Sequence, residues 1–171
     1  MKTDLGSIKM LVMDVDGVLT DGTIILDADG RESKRFCLLD GHGIRMWHRA
    51  GLESAIISGR ESVATSVRAE QLSVKHVIQG QKKKLPAYEA LLKETGLEAR
   101  QTVYIGDDLL DIPLVKRAGL GVAVANAVEE LKEASDMVTG RAGGEGAVRE
   151  VIEYILKNTG RWTELMERYL V

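Results

Sequence analysis

Two aspartates one residue apart, Asp14 and Asp16, end an apolar run in the stretch MLVMDVDGVLTDG at residues 10–22, and Gly17 follows them. Like charges this close repel each other, and a carboxylate beside a hydrophobic strand is costly unless a partner neutralises it. A helix N-cap would explain one such aspartate but not two. The pair therefore indicates a site where carboxylates perform chemistry.

Other polar side chains follow the later predicted strands. They are Ser58, Gly59 and Arg60 after the second strand, Lys84 after the third, and Asp107, Asp108 and Asp111 after the fourth. In open α/β sheets, ligands bind outside the carboxyl ends of the strands. We therefore expect the carboxylates, the hydroxyl and the ammonium to meet at one edge of the sheet.

Each of these residues also has a purely structural interpretation. The aspartate pair after the fourth strand would suit the N-cap of a helix, and Ser58 beside a glycine would suit a turn. Lys84 alone would be a solvated lysine, and Lys82 or Lys83 could share any role that it has. The functional interpretation therefore depends on the whole set.

Short apolar runs alternate with amphipathic stretches along the chain. This alternation predicts an α/β fold, a Rossmann-like parallel sheet with helices on both faces. Strands are predicted at residues 8–15, 52–57, 74–78, 102–105, 121–125 and 136–138. Helices are predicted at residues 43–50, 62–72, 85–95, 110–117, 127–133, 147–157 and 162–170.

Residues 20–36 interrupt this alternation. Their β-favouring arms around Asp29 and Gly30 predict a hairpin, placed as a flap directly after the first strand. A chain of 171 residues without an internal repeat or a composition boundary predicts a single domain over residues 1–171, with a C-terminal tail at 140–171. Glycines at 143, 144 and 146 would let the backbone of that tail lie close to a ligand.

Composition restricts the location and the partners. With 26 acidic and 23 basic residues and a net charge of −3, we expect neither nucleic acid nor a membrane surface as partner. The only cysteine, Cys37, excludes an internal disulfide framework and suits a reducing compartment. The N-terminus has no secretory pattern, and no apolar stretch is long enough to span a bilayer. We expect a cytoplasmic protein.

Four motifs resemble those of the haloacid dehalogenase superfamily of phosphotransferases: DVDGVLT, Ser58 in AIISGR, Lys84, and GDDLLD. All four occur in order and at fitting strand ends. A closer resemblance, to the family of 3-deoxy-D-manno-octulosonate 8-phosphate phosphatases, is carried by DVDGVLTDG, DGHGIRMW, AIISGRES, GDDLLDIPLVKRAGLGVAVANA and GGEGAVREV. It implies the hydrolysis of that sugar phosphate, a step in lipopolysaccharide precursor synthesis.

The resemblance implies a catalytic set. Asp14 would attack phosphorus, giving an aspartyl-phosphate, and Asp16 would act as general acid and then as general base. Ser58 would donate to a phosphoryl oxygen, and Lys84 would balance the negative charge. Gly17 would permit the close approach of the phosphate to the backbone.

The resemblance also implies Mg²⁺ as cofactor, since this cation prefers hard oxygen ligands. The Asp14 carboxylate, the Asp16 backbone carbonyl and the Asp107 carboxylate would hold it. Asp108 or Asp111 would orient its coordinated waters.

The interval between Asp16 and Ser58 leaves no room for a cap domain, so the protein would be capless. The resemblance implies a homotetramer whose hairpins associate centrally, with C-terminal segments reaching a neighbour's site. Arg60 suits a substrate carboxylate, because a guanidinium binds one bidentately; otherwise it is a surface arginine. Glu145 stands where relatives often carry a basic or polar residue, which leaves the tail's substrate contacts open.

Two other functions stay open. One is a phosphatase for a nine-carbon ulosonate 9-phosphate or another sugar phosphate. The other is a non-catalytic interaction module of the same fold, although such modules typically lose one of the motif residues.

Overall fold

The computed structural model describes residues 4–170. Its strands are β1 (Met10–Met13), β2 (Ile25–Leu26), β3 (Glu32–Ser33), β4 (Glu53–Ile57), β5 (His76–Ile78), β6 (Thr102–Gly106), β7 (Leu120–Ala123) and β8 (Met137–Val138). Six of them form one parallel sheet in the order β5-β4-β1-β6-β7-β8. The predicted parallel sheet is confirmed.

The central strand β1 is flanked by β4 on one side and β6 on the other, with Met10 opposite both Glu53 and Thr102. All four residues of β1 are fully buried, which explains why the sequence there is continuously apolar. Because the chain leaves β1 toward β4 and later crosses back to β6, a crevice opens at its carboxyl end. Asp14 is the first residue beyond that end.

The helices are α1 (Leu38–Arg49), α2 (Val63–Leu72), α3 (Lys84–Thr95), α4 (Ile112–Val115), α5 (Glu129–Ala134), α6 (Ala147–Asn158) and α7 (Arg161–Glu167). They flank the sheet in two groups: α1 packs against α2 and α6, and α3 packs against α4, which contacts α5. Short 3₁₀ turns lie at Leu5–Ser7, Ala99–Gln101 and Leu109–Asp111. Among residues 4–170, no helix has both the length and the apolar character needed to cross a bilayer.

Strands β2 and β3 form an antiparallel hairpin within residues 20–36, pairing Ile25 with Ser33 and Leu26 with Glu32. The ladder is shorter than the β-favouring arms of the sequence predict. The side chain of Asp27 accepts hydrogen bonds from the backbone N–H groups of Asp29 and Arg31 and thereby closes the turn. The hairpin leaves its apolar side chains exposed, because it packs little of its length on the core.

The range 140–171, predicted as a tail, divides into two parts. Helix α6 belongs to the core, with Val148, Val151 and Ile155 fully buried against the rest of the chain. Beyond it, Trp162 of α7 packs partly against the core beneath the ammonium of Lys157, 4.6 Å from the ring centroid. In this structure α7 therefore lies on its own chain. The residues after α6 are partly or fully exposed, whereas α6 is part of the core.

Candidate active site

The carboxylate of Asp14 lies at the carboxyl end of β1 and is 7% exposed. Its Oδ1 atom accepts a hydrogen bond from the Val15 N–H at 2.7 Å, and its Oδ2 atom lies 2.6 Å from the Lys84 ammonium. Burial raises the pKa of Asp14 to about 6, against the lowering effect of Lys84, and the charge of Asp111 adds to the rise. The side chain is thus held in one position by a donor on each oxygen.

Lys84 begins α3 and is buried, whereas Lys82 and Lys83 are exposed. Its ammonium lies between Asp14 and Asp111, 2.7 Å from the Asp111 Oδ1 atom. Burial alone would lower the pKa of Lys84, but the two carboxylates outweigh it and raise the pKa above its ordinary value. Of the three successive lysines, the structure places only Lys84 beside the carboxylates.

Asp111 is fully buried and is the anchor of this cluster. Its carboxylate accepts from Lys84, from the Tyr104 hydroxyl at 2.6 Å, and from the N–H groups of Asp107 at 3.0 Å and Asp108 at 3.3 Å. These donors occupy both oxygens of Asp111, so the side chain fixes the loop and the lysine. The role that the resemblance implies for Asp108 or Asp111, orienting the waters on a bound metal, stays a prediction.

Tyr104 was not predicted from the sequence. It is fully buried on β6, where it is one of several large residues in an apolar strand. A buried phenol normally finds a hydrogen-bond partner, and this requirement is the signal that would have singled it out.

Asp107 completes a group of three carboxylates with Asp14 and Asp111, whose oxygens lie within 4.8 Å of one another. Burial raises the pKa of Asp107 to about 8, and the charges of Asp14 and Asp111 raise it further than Lys84 lowers it. Hard oxygen donors that repel one another are the donor set that a divalent cation such as Mg²⁺ neutralises. The residues present therefore fit the predicted metal.

Gly17 lets the loop after β1 approach this group. Its φ is +89°, and a Cβ atom there would lie 2.0 Å from Asp107 Oδ2. Gly143 is equally restricted on the other side of the loop, because a Cβ atom there would lie 1.7 Å from the Gly17 carbonyl oxygen. The glycine-rich segment at 141–146 thus lies close to the loop of its own chain, and Glu145 within it is exposed.

Asp16 points away from the three-carboxylate group, toward the hairpin. Its Oδ1 atom contacts the ammonium of Lys34, and its Oδ2 atom lies 3.6 Å from the Arg60 guanidinium. Glu32 contacts both cations, with Lys34 at 3.1 Å. Neither Glu32 nor Lys34 was predicted. Glu32 begins β3 and Lys34 directly follows it, and this i, i+2 spacing in extended chain places both on one face, which is the signal available in the sequence.

The remaining predicted residues differ in exposure. Ser58 is buried after β4, and its hydroxyl accepts the Arg60 N–H at 3.3 Å. Arg60 is half-exposed beside it. Asp108 is exposed and caps the following turn through the Leu109 N–H at 2.7 Å. The structural interpretation of Asp108 as a cap is confirmed, and its functional role stays a prediction.

A cavity of about 250 Å³ joins these groups at the sheet edge. Its walls include Asp14, Asp16, Ser58, Arg60, Lys84 and Asp107. A carboxylate nucleophile, a second carboxylate, an ammonium and a hydroxyl on one cavity suit phosphoryl transfer, in which a carboxylate can form a covalent intermediate.

Comparison with known proteins agrees with this chemistry. Residues 50–152 match the model of the haloacid dehalogenase-like hydrolases. The 3-deoxy-D-manno-octulosonate 8-phosphate phosphatase of Salmonella typhi is 42% identical over 162 residues, which is 95% of this chain and 86% of that protein.

Solved structures extend the likeness. The phosphatase of the same name from Moraxella catarrhalis, in complex with a magnesium ion, a phosphate ion and a molecule of the sugar acid KDO, has a TM-score of 0.94 at 42% identity, covering 96% of this chain and 95% of that one. The cobalt-bound enzyme from Haemophilus influenzae has a TM-score of 0.88 at 42% identity, covering 91% of each chain. This chain therefore belongs to the haloacid dehalogenase-like hydrolases, within the family of 3-deoxy-D-manno-octulosonate 8-phosphate phosphatases.

Proposed function

We propose that this protein is a Mg²⁺-dependent phosphatase that hydrolyses 3-deoxy-D-manno-octulosonate 8-phosphate to the free sugar acid and phosphate. The observation that carries the proposal is the buried pairing of Asp14 with Lys84 next to Asp107, at the cavity beyond β1. A non-catalytic module would have no need for a buried carboxylate cluster, which is costly to maintain.

In the first step Asp14 attacks the phosphorus atom, and the ester bond between phosphorus and the sugar oxygen breaks. Lys84 and the Val15 N–H hold the Asp14 oxygens in place for this attack. The Ser58 hydroxyl, on the cavity wall, donates to a phosphoryl oxygen. The product of the step is an aspartyl-phosphate on Asp14.

Asp16 transfers the protons in both steps. It donates a proton to the departing sugar oxygen and then removes one from the attacking water, after which the bond between phosphorus and Asp14 breaks. Its carboxylate borders the same cavity as Asp14 but faces the hairpin, so the two carboxylates have separate roles.

The carboxylates of Asp14 and Asp107, with the backbone carbonyl of Asp16, would hold the Mg²⁺. When bound, this cation stabilises the charge that develops on the phosphoryl oxygens. Gly17 keeps the loop close enough to Asp107 for both to contribute. Asp108, which borders the cavity, or Asp111 would orient the waters on the metal.

Arg60 is the proposed contact for the carboxylate of the sugar acid. It borders the cavity and already pairs with a carboxylate, that of Glu32, which the substrate carboxylate would replace. The names of the relatives and the sugar acid in the Moraxella catarrhalis structure support this choice of substrate.

A homotetramer would close the capless cavity. Ile24, Ile25 and Leu26 of the hairpin are 51%, 45% and 60% exposed, and contiguous apolar residues of this kind suit an interface between copies. We further propose that residues 1–171 act as a single hydrolase domain. We also propose that the protein works in the cytoplasm, because a single cysteine suits a reducing compartment.

A substrate comparison tests the function. Purified protein with Mg²⁺ is given the eight-carbon ulosonate 8-phosphate, a nine-carbon ulosonate 9-phosphate and other sugar phosphates, and phosphate release is measured. We expect the highest kcat/KM for the eight-carbon substrate. A preference for the nine-carbon acid would change the assigned substrate and leave the proposed mechanism as it is. No turnover of any phosphate ester would contradict the proposal that the protein is a phosphatase.

A further inference from the structure

Lys34 is a buried cation supplied by an otherwise exposed hairpin. Its side chain is 2% exposed, whereas that of its neighbour Arg35 is 80% exposed. The Lys34 ammonium contacts the Asp16 carboxylate and lies 3.1 Å from Glu32. A buried ammonium is stable only when it is paired, so this side chain is committed to the two carboxylates.

The contacts of Lys34 determine where the Asp16 carboxylate lies. Asp16 is on the loop after β1, partly exposed, and free to rotate about its side-chain bonds unless something holds it. Lys34 contacts the Oδ1 atom, and the only other cation near it in the described chain, Arg60, is 3.6 Å from Oδ2. Arg60 is half-exposed and also pairs with Glu32, so the tighter restraint on Asp16 comes from Lys34.

We propose that Lys34 is a positioning residue of the phosphatase reaction, holding the Asp16 carboxyl group at the cavity so that it can deliver its proton to the leaving oxygen. This inference rests on the proposed function and adds a residue to it. A general acid must lie within hydrogen-bond reach of the atom that it protonates, about 2.6–3.2 Å. A misplaced Asp16 would therefore slow the first step even though Asp14, Lys84 and the metal ligands are intact.

The role has a signature that a purely structural lysine would not have. Proton donation matters most when the leaving oxygen is strongly basic, as in an alkyl or sugar phosphate, and little when it is p-nitrophenolate. The value of kcat/KM reports the step in which the leaving group departs, since hydrolysis of the shared aspartyl-phosphate comes later. Loss of Lys34 should thus make log kcat/KM fall more steeply with the pKa of the leaving group.

The experiment compares wild-type protein with Lys34→Met, Lys34→Gln and Lys34→Arg, all with Mg²⁺, on a series of aryl phosphates and a simple alkyl phosphate. We expect Lys34→Met to lose about 100-fold in kcat/KM on the alkyl phosphate, within the range of general-acid contributions, and only a few-fold on p-nitrophenyl phosphate. Lys34→Arg should restore part of the loss. Arg35→Met, which removes the adjacent exposed cation paired with Asp21, should match wild type across the series.

Equal losses on all leaving groups, or no loss, would overturn the proposal. So would unfolding of both Lys34→Met and Lys34→Gln in a thermal melt, because the lysine would then serve the fold. These substrates contain no sugar acid, so the result does not depend on which sugar phosphate the wild-type protein prefers. Failure of the proposed substrate appears separately, as wild-type protein that hydrolyses the aryl phosphates but not the ulosonate phosphate.

Discussion

The Lys84 ammonium lies 2.6 Å from the Asp14 carboxylate and 2.7 Å from that of Asp111, and all three side chains are buried. One lysine therefore joins the proposed nucleophile at the end of β1 to an anchor in the turn after β6. This connection keeps Asp14 oriented without any contribution from a ligand. It also means that Lys84 retains a partner when Asp14 is changed.

Asp14→Asn should abolish phosphatase turnover and leave the fold intact. An amide oxygen is a poor nucleophile, while Lys84 keeps its contact with Asp111. Phosphate release and the thermal midpoint are measured on the same preparation, with mass spectrometry to exclude deamidation. Wild-type turnover in an undeamidated Asp14→Asn sample would refute the aspartyl-phosphate mechanism.

Mg²⁺ should stabilise the wild-type protein, and EDTA should abolish its phosphatase activity. At a concentration 100 times its Kd, a bound ligand adds about 2.7 kcal/mol of stability, which raises the thermal midpoint of a chain of this length by several degrees. Asp107→Asn should lose most of this rise, because it removes one of the two carboxylates that are proposed to hold the metal.

The metal-free state provides the control for that variant. Without Mg²⁺, Asp107→Asn should be at least as stable as wild type, since it removes a carboxyl group whose ionisation is opposed by burial and by the neighbouring carboxylates. A large destabilisation in EDTA, or an undiminished Mg²⁺ effect, would show that Asp107 serves the fold and does not bind the metal.

The sheet and its functional edge were predictable, whereas the supporting contacts were not. Continuous apolar runs identify strands buried on both faces, and the carboxyl ends of parallel strands meet, so Asp14, Lys84 and Asp107 could be grouped from the sequence alone. Tyr104 and Lys34 could not. Tyr104 reads as one more apolar strand residue, and Lys34 lies among other charged residues of a hairpin whose orientation only the folded chain determines.

Helix α1 shows where local propensity misplaces the start of a helix. The helix begins at Leu38, five residues before the predicted start at 43. The prediction began too late because Gly41 and Gly43 lower the helix propensity of the first turns. Gly43 lies where α1 packs closely against α6. A Cβ atom at Gly43 would lie 3.3 Å from the Cα atom of Arg149 on α6, so the close approach of the two helices overrides the local preference.

Asp111→Ala should destabilise the protein far more than Asp108→Ala. Asp111 is fully buried with four hydrogen-bond donors, and breaking a buried charge network by removing one partner costs about 3–5 kcal/mol. Asp108 is exposed and caps one turn, so its loss should cost about 1 kcal/mol. Urea denaturation of both variants measures the difference; similar midpoints would mean that Asp111 is not the anchor described.

Arg60→Ala should impair hydrolysis of the ulosonate phosphate much more than that of p-nitrophenyl phosphate. Losing a charged hydrogen bond to the substrate carboxylate costs about 2–5 kcal/mol, or about 30-fold and more in kcat/KM. The aryl ester has no such carboxylate. Arg35→Ala, which removes an arginine outside the cavity lining, is the matched control and should change neither rate. Equal losses on both substrates would assign Arg60 to the phosphate or to the fold.

Activity on the sugar phosphate should depend on assembly through the hairpin. Leu26 is 60% exposed on β2, so a glutamate there is tolerated by the isolated chain but would be buried without a partner at an interface between copies. We expect a tetramer for wild type and smaller species for Leu26→Glu by light scattering, with a raised KM for the ulosonate phosphate.

The C-terminal segment is tested by a truncation whose position the structure fixes. Deleting residues from Gly140 onward would remove the buried helix α6 and unfold the chain, so the informative deletion begins at Gly160. If this segment closes a neighbour's cavity, the truncated protein should remain folded, keep its rate on p-nitrophenyl phosphate and lose affinity for the sugar phosphate, because an open cavity admits water. A monomeric wild type with full activity, or a truncated protein with unchanged kinetics on both substrates, would contradict closure by neighbouring copies.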